Sequence, residues 1–201
     1  TKRPGNLMIL SVMKQEPKAR RVLLGVTGSI AAYKAAELVR QFKGRGWDVS
    51  VVMTRAATEF VGELTFRTLS QNPVAVDMFD KSIEWKPSHI SLADWAEVMV
   101  IAPCTANVMA KLAHGLADDL LTCTALACAA PLVVAPAMNE KMWNHEATQA
   151  NLALLRSRGV RFVDVGRGDL ACGYQGSGRM ADLEAIVKAV EAGLVAKGDA
   201  R

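Results

Sequence analysis

Short apolar runs that do not alternate with polar residues dictate the architecture of this chain. Val22 to Val26, Val98 to Ala102 and Leu132 to Ala135 are almost wholly apolar and rich in β-formers. A strand with one face in water alternates apolar and polar positions, so runs without alternation belong to strands covered on both faces. Helical patterns separate them. Ala31, Ala35, Leu38, Val39 and Phe42 recur at helical spacing after the first strand; Gly44 and Gly46 close that helix, and Val49 to Thr54 makes a second strand. Val160 to Val163 supplies a further strand, while Asn107 to His114, Asp119 to Cys128, Glu146 to Ser157 and Asp182 to Ala196 read as helices. The alternation predicts an α/β, doubly wound, Rossmann-like or flavodoxin-like domain, with a parallel sheet between two helical layers. No repeat or linker interrupts it, so residues 21–201 are expected to fold as one domain.

At 201 residues and 51% hydrophobic content, the chain can bury one good core. Its formal charge of +4 is unevenly placed. Lys2, Arg3, Lys14, Lys18, Arg20 and Arg21 against Glu16 put +5 before Val22, which leaves −1 for the rest. Residues 1–20 therefore read as a basic, flexible extension. A nucleic-acid-binding face needs a basic stripe on the folded domain, and none is visible, so no nucleic-acid partner is expected. The apolar runs fall well short of the roughly 20 residues of a membrane span, and Leu7 to Met13 is too short for a targeting segment. Cys104, Cys123, Cys128 and Cys172 include no CxxC pair and no His at ligand spacing. That pattern predicts neither a metal site nor disulfides and suits a cytoplasmic, reducing setting. The first three lie in apolar surroundings and are expected to pack as small hydrophobes.

Doubly wound sheets bind ligands beyond the C-terminal ends of their strands, where loops meet helix N-termini. Gly28-Ser29 follows the first strand, Thr54 ends the second, Ala102 to Asn107 follows the central strand and Pro136 to Trp143 the next. The first turn is not GxGxxG, no acidic residue ends the second strand, and no GxxxxGK[ST] loop occurs, which disfavours NAD and nucleoside triphosphates. A hydroxyl-bearing turn at a helix N-terminus suits one phosphate monoester, hence a mononucleotide such as FMN. The same turn also serves as a plain strand-to-helix connection, and Thr105 or Asn107 also fits a helix cap. Asn139, between a turn-fixing Pro136 and the apolar Met142 and Trp143, suits recognition of a small polar substrate. His89 opens a helix that runs through Trp95 and reads either as a cap or as a catalytic group. A dipole contact explains His114, and His145 is expected to face solvent. Asp169 to Met180 is glycine-rich and predicts a mobile flap or a close backbone approach, with Arg179 able to clamp a phosphate or carboxylate.

Six segments occur in order: VTGSIAAYK from Val26, Ser88-His89-Ile90, APCTAN from Ala102, KLAHGLADDLLT from Lys111, PAMNEKMW from Pro136 and ACGYQGSGRM from Ala171. Together, from about Val22 to about Val190, the chain resembles the homo-oligomeric flavin-containing cysteine decarboxylases. The resemblance implies FMN as cofactor, surrounded by Gly28, Ser29, Ile30, Thr54, Thr105, Ala106, Asn107 and Ala137. It implies His89 as the active-site histidine, Asn139 as the group that binds the cysteinyl carboxylate and Cys172 as the proton donor of the reductive half. Met142, Arg179 and Met180 join Asn139 on the substrate side. It further implies a trimer, often assembled into a dodecamer, with sites between subunits.

The implied reaction is decarboxylation of phosphopantothenoylcysteine to phosphopantetheine in coenzyme A biosynthesis. Loss of CO₂ from a cysteinyl carboxyl leaves an unstabilised carbanion, and flavin oxidation of the thiol to a thioaldehyde creates the missing electron sink. The resulting enethiol is then re-reduced, so no net redox equivalent is consumed. A peptidyl-cysteine decarboxylase acting on a precursor peptide, or a non-catalytic flavin-binding regulator, is the alternative. Flavin prenyltransferases share the fold but lack PxMNxxMW, and the regulators lose catalytic positions that this chain keeps. Two departures stand out: Tyr174 occupies a position that is acidic in many relatives, and the bifunctional relatives continue into a synthetase domain. The chain is expected to work either alone or with that synthetase, fused or separate.

Overall fold

The computed structural model describes residues 19–79, 88–169 and 175–198. The elements are β1 (Arg21–Val26), α1 (Ala32–Gly44), β2 (Asp48–Met53), the one-turn α2 (Arg55–Thr58), α3 (Glu63–Ser70) and β3 (Val74–Ala75). Next come α4 (Ser88–Trp95), β4 (Val98–Cys104), α5 (Ala106–His114), α6 (Leu120–Ala127), β5 (Leu132–Pro136) and the one-turn α7 (Glu140–Trp143). The chain continues through α8 (Glu146–Ser157), β6 (Arg161–Phe162), β7 (Gly166–Asp169), β8 (Gln175–Arg179) and α9 (Leu183–Gly198). Of the sequence-level expectations, residues 1–18, Cys172 and Tyr174 lie outside the described residues.

Six strands form one sheet in the order β3-β2-β1-β4-β5-β6, every pair parallel, as the uninterrupted apolar runs require. Successive residues of β1 face opposite layers. Val22, Leu24 and Val26 pack with α1, α3 and α9, whereas Leu23 packs with α5, α6 and α8. Gly25 is small for a reason: a Cβ there would sit 3.0 Å from Leu121 Cδ1 and 3.1 Å from Ile101 Cγ1, so α6 is seated directly on β1. The strand order reverses between β1 and β4, which opens a crevice at their C-terminal ends. The doubly wound expectation is therefore met.

Local chemistry sets the element ends. Gly46, at φ +73°, turns the chain out of α1 while its N–H donates to the Lys43 carbonyl and the Trp47 N–H to the Phe42 carbonyl. Asp119 caps α6 by accepting the Thr122 N–H at 2.8 Å, and the Thr122 hydroxyl accepts in return from the Asp119 N–H at 3.4 Å. The described part of the glycine-rich segment forms strand β8 of an antiparallel β7–β8 hairpin, and its Gly178 makes the close backbone approach expected there. Among the described residues, no helix is long and apolar enough to cross a membrane, and no group of His, Cys, Asp and Glu could hold a metal ion.

The Lys111 ammonium lies 2.6 Å from Asp118 and 2.9 Å from Asp119. Burial pulls the Lys111 value down, but the hydrogen bonds to the two carboxylates outweigh it and leave it raised. Burial pushes Asp119 up, yet the Thr122 amide and Lys111 outweigh that and leave it lowered. A depressed acid stabilises the fold above its unfolded value of about 3.9 and loses this as pH falls through the folded value; a raised lysine stabilises below about 10.4 and loses this as pH rises. Both contributions are present together between about pH 4 and 10. Asp119→Ala is expected to cost about 1–2 kcal/mol at pH 7, with a smaller penalty at pH 3. Urea denaturation at the two pH values checks this, and an equal penalty at both contradicts it.

Candidate active site at the switch point

The loops that leave β1, β2, β4 and β5 are stitched side to side along one edge of the sheet. The Thr54 N–H donates to the Val26 carbonyl at 3.0 Å, and the Ala137 N–H donates to the Cys104 carbonyl at 3.0 Å. Between them, the buried Thr27 hydroxyl donates to the Pro103 carbonyl at 2.7 Å and accepts the Thr105 N–H at 3.1 Å. Thr27 thus locks the two loops that flank the crevice. Sequence reading placed Thr27 in the turn without assigning it a role, because its partners lie 76 and 78 residues away.

This rim gathers Gly28, Ser29, Ile30, Thr54, Thr105, Ala106, Asn107, Ala137, Asn139 and Met142 at the C-terminal ends of adjacent strands. Their individual settings differ. Gly28 has a packing reason, since a Cβ there would meet Ala56 Cβ at 2.6 Å. The Ser29 hydroxyl accepts the Ala31 N–H at 3.3 Å, and Thr105 caps α5 by accepting the Val108 N–H at 3.3 Å. Ile30 and Asn107 are exposed, Ala137 is buried, and Met142 is 48% exposed. Thr54 Oγ1 is enclosed and has no hydrogen-bond partner. A buried hydroxyl left so is costly unless a ligand engages it.

The first turn of α1 adds a positive field. Its N-cap, Ala31, supplies no side-chain acceptor, and the turn carries no acidic residue, so the helix N-terminus is open to an anion. Lys34 lies in that turn; burial first, then the charge of Arg179, lowers its ammonium, while Asp182 opposes them. Arg179, at the end of β8, therefore lies within electrostatic reach of Lys34. A hydroxyl-lined crevice with this field and an orphaned Thr54 oxygen fits a phosphorylated mononucleotide.

Asn139 caps α7, its Oδ1 accepting the Lys141 N–H at 2.9 Å. Strand β8 lies against this segment: the Met138 N–H donates to the Gly178 carbonyl at 2.9 Å, and Glu140 Oε1 accepts the Ser177 N–H at 3.0 Å. Met180, expected on the substrate side, is only 1% exposed and packs in the core with α1 and α9 residues; it supports the wall from behind. His89 lies in the first turn of α4, which packs on α6. His145 is exposed and caps α8 through Nδ1, and His114 Nε2 meets Asn151 Oδ1 at 3.1 Å. Cys104 lies beside the rim, but burial pushes its thiol up to about 12, so it stays protonated at neutral pH and is no nucleophile.

The family model described as Flavoprotein matches residues 10–194. The chain is 47% identical over 172 residues to the coenzyme A biosynthesis bifunctional protein CoaBC of Bacillus subtilis (strain 168), which covers 86% of this chain and 42% of that protein. It thus spans less than half the length of that bifunctional relative. It is 44% identical to a probable phosphopantothenoylcysteine decarboxylase of Streptococcus mutans, over 86% of this chain and 97% of that one. A solved PPC decarboxylase, a cysteine-to-serine mutant complexed with pantothenoylaminoethenethiol, superposes with a TM-score of 0.79 at 36% identity, covering 87% of this chain and 98% of that chain. With a family model that spans nearly all of the sequence, the chain belongs to the flavoprotein family.

Proposed function

We propose that this chain is an FMN-dependent carboxy-lyase that converts phosphopantothenoylcysteine to phosphopantetheine. The observation that carries the reading is the position of Asn139, held on the same hydrogen-bonded rim as the crevice containing Thr54 Oγ1. When bound, FMN supplies a two-electron acceptor for the cysteinyl thiol and returns the electrons after CO₂ has left. Gly28, Ser29, Ile30, Thr54, Thr105, Ala106, Asn107 and Ala137 would hold it, with the α1 N-terminus facing its phosphate.

The substrate is bound by the chain's own groups. Asn139, whose Oδ1 also caps α7, is the group assigned to the cysteinyl carboxylate. Met142, half exposed at the rim, covers the apolar part. Arg179 offers positive charge to the substrate phosphate, the feature that a peptide ending in cysteine lacks. Cys172 delivers the proton that completes the saturated thiol. His89, which begins a helix packed on α6, is assigned to a neighbouring subunit's site in a homo-oligomer, a trimer or dodecamer. A cytoplasmic setting and a fused or separate synthetase acting before it complete the reading.

Release of CO₂ from phosphopantothenoylcysteine, compared with a peptide ending in cysteine, tests the substrate; turnover of the peptide alone overturns it. Asn139→Asp keeps an α7 cap but sets like charges together, so kcat/KM is expected to fall about 10- to 100-fold while flavin stays bound. Cys172→Ser is expected to release CO₂ and stop at the unsaturated enethiol, detected by mass spectrometry. Thr27→Val removes both bonds between the crevice loops and is expected to weaken FMN binding about tenfold, with Thr27→Ser restoring it. Flavin fluorescence titration measures this; unchanged affinity removes Thr27 from the cofactor site. Mixing His89→Ala and Asn139→Ala subunits is expected to restore activity that neither variant has alone.

A further inference from the structure

Glu140 stands at one of the variable positions of PxMNxxMW, so the motif itself does not require a carboxylate there. Its side chain nevertheless makes a specific contact with β8. Oε1 accepts the Ser177 N–H at 3.0 Å. A Cβ on Gly176 would lie 2.6 Å from Oε2 and 2.7 Å from Cδ, so the strand leaves just enough room for the carboxyl group. Two residues on, Gly178 adopts φ +119° and lies so close to the Met138 carbonyl that no Cβ could be accommodated. Its own carbonyl accepts the Met138 N–H at 2.9 Å. The residues on either side of Asn139 are therefore both tied to β8, Met138 through its backbone and Glu140 through its side chain.

We propose that Glu140 is a positioning residue whose carboxyl group, acting as a hydrogen-bond acceptor, fastens β8 to the β5–α7 junction and so fixes Asn139 relative to the β7–β8 hairpin. The inference rests on the reading of Asn139 as the group that holds the substrate carboxylate. Acceptor function, and not charge, is what the geometry uses: the partner of Oε1 is a neutral backbone amide. Glu140→Gln keeps chain length and Oε1, whereas Glu140→Ala removes the acceptor and leaves the Ser177 amide unpaired. Gly176→Ala displaces the carboxyl group without altering it.

Amide hydrogen exchange and steady-state kinetics on the FMN-loaded protein test the proposal together. In Glu140→Ala and Gly176→Ala, exchange at Ser177 is expected to rise about tenfold and KM to rise by a similar factor, with flavin affinity unchanged. Glu140→Gln is expected to restore both. A purely structural residue would instead lower flavin affinity and melting temperature together. Unaltered Ser177 exchange in Glu140→Ala overturns the proposal, as does a Glu140→Gln variant as impaired as Glu140→Ala. The exchange readout needs no turnover, so a wild-type protein that failed to decarboxylate would refute the proposed function while leaving the Glu140 contact to be judged on exchange alone.

Discussion

One buried hydroxyl joins the two loops that flank the crevice of this molecule. Thr27 reaches from the end of β1 to the loop after β4, donating to one backbone group and accepting from another. A net hydrogen bond contributes only about 1 kcal/mol, but a buried carbonyl and amide left without partners each cost about 1–3 kcal/mol, so the arrangement is strongly preferred once the loops are enclosed. Strand order explains why the joint matters. β1 and β4 are paired neighbours where the sheet reverses direction, but their ladder ends at Gly25 and Ile101, and beyond it the chain leaves on opposite sides, so the two loops need a joint of their own.

From that joint the rim extends both ways by backbone contacts. On the β2 side it ends at Thr54, whose enclosed oxygen lacks a partner; on the β5 side it ends at Asn139 and the strand laid against it. The positive field from α1, Lys34 and Arg179 lies near the first turn. Under the proposed function, a cofactor phosphate and a carboxylate-bearing substrate have separate anchor points on this one scaffold. Cys104 sits on the same rim yet stays chemically silent, because its burial holds the thiol protonated.

Much of this architecture could be read from residue patterns. Strands buried on both faces announce themselves as uninterrupted apolar runs, and β1, β2, β4 and β5 appear within one or two residues of where those runs lie. Elements that depend on distant partners were not legible. α3 buries only Phe66 and Ser70, too sparse a period to register, and β3 has two residues. β3 is held beside β2 because Asn72 Nδ2 reaches Asp48 Oδ1 and the Val49 carbonyl, both at 2.8 Å. The hairpin strands GRGD and QGSGR contain no β-branched residue; glycine is needed there for close approach to Glu140 and Met138, which no local pattern reveals. The loop residues of the site were legible by position, since the fold places strand C-termini together. The burial of Met180 and the placement of α4 against α6 were not, because both follow from packing across the tertiary structure.

The ribbon formed by β7 and β8 pairs with itself and not with the six-stranded sheet. Its described attachments to the body run through Met138 and Glu140. Detaching it breaks no rung of the main ladder, so its opening free energy is set by a few contacts while the scaffold beneath answers only to global unfolding. The molecule therefore keeps two clocks, a slow one for the platform and a fast one for the ribbon.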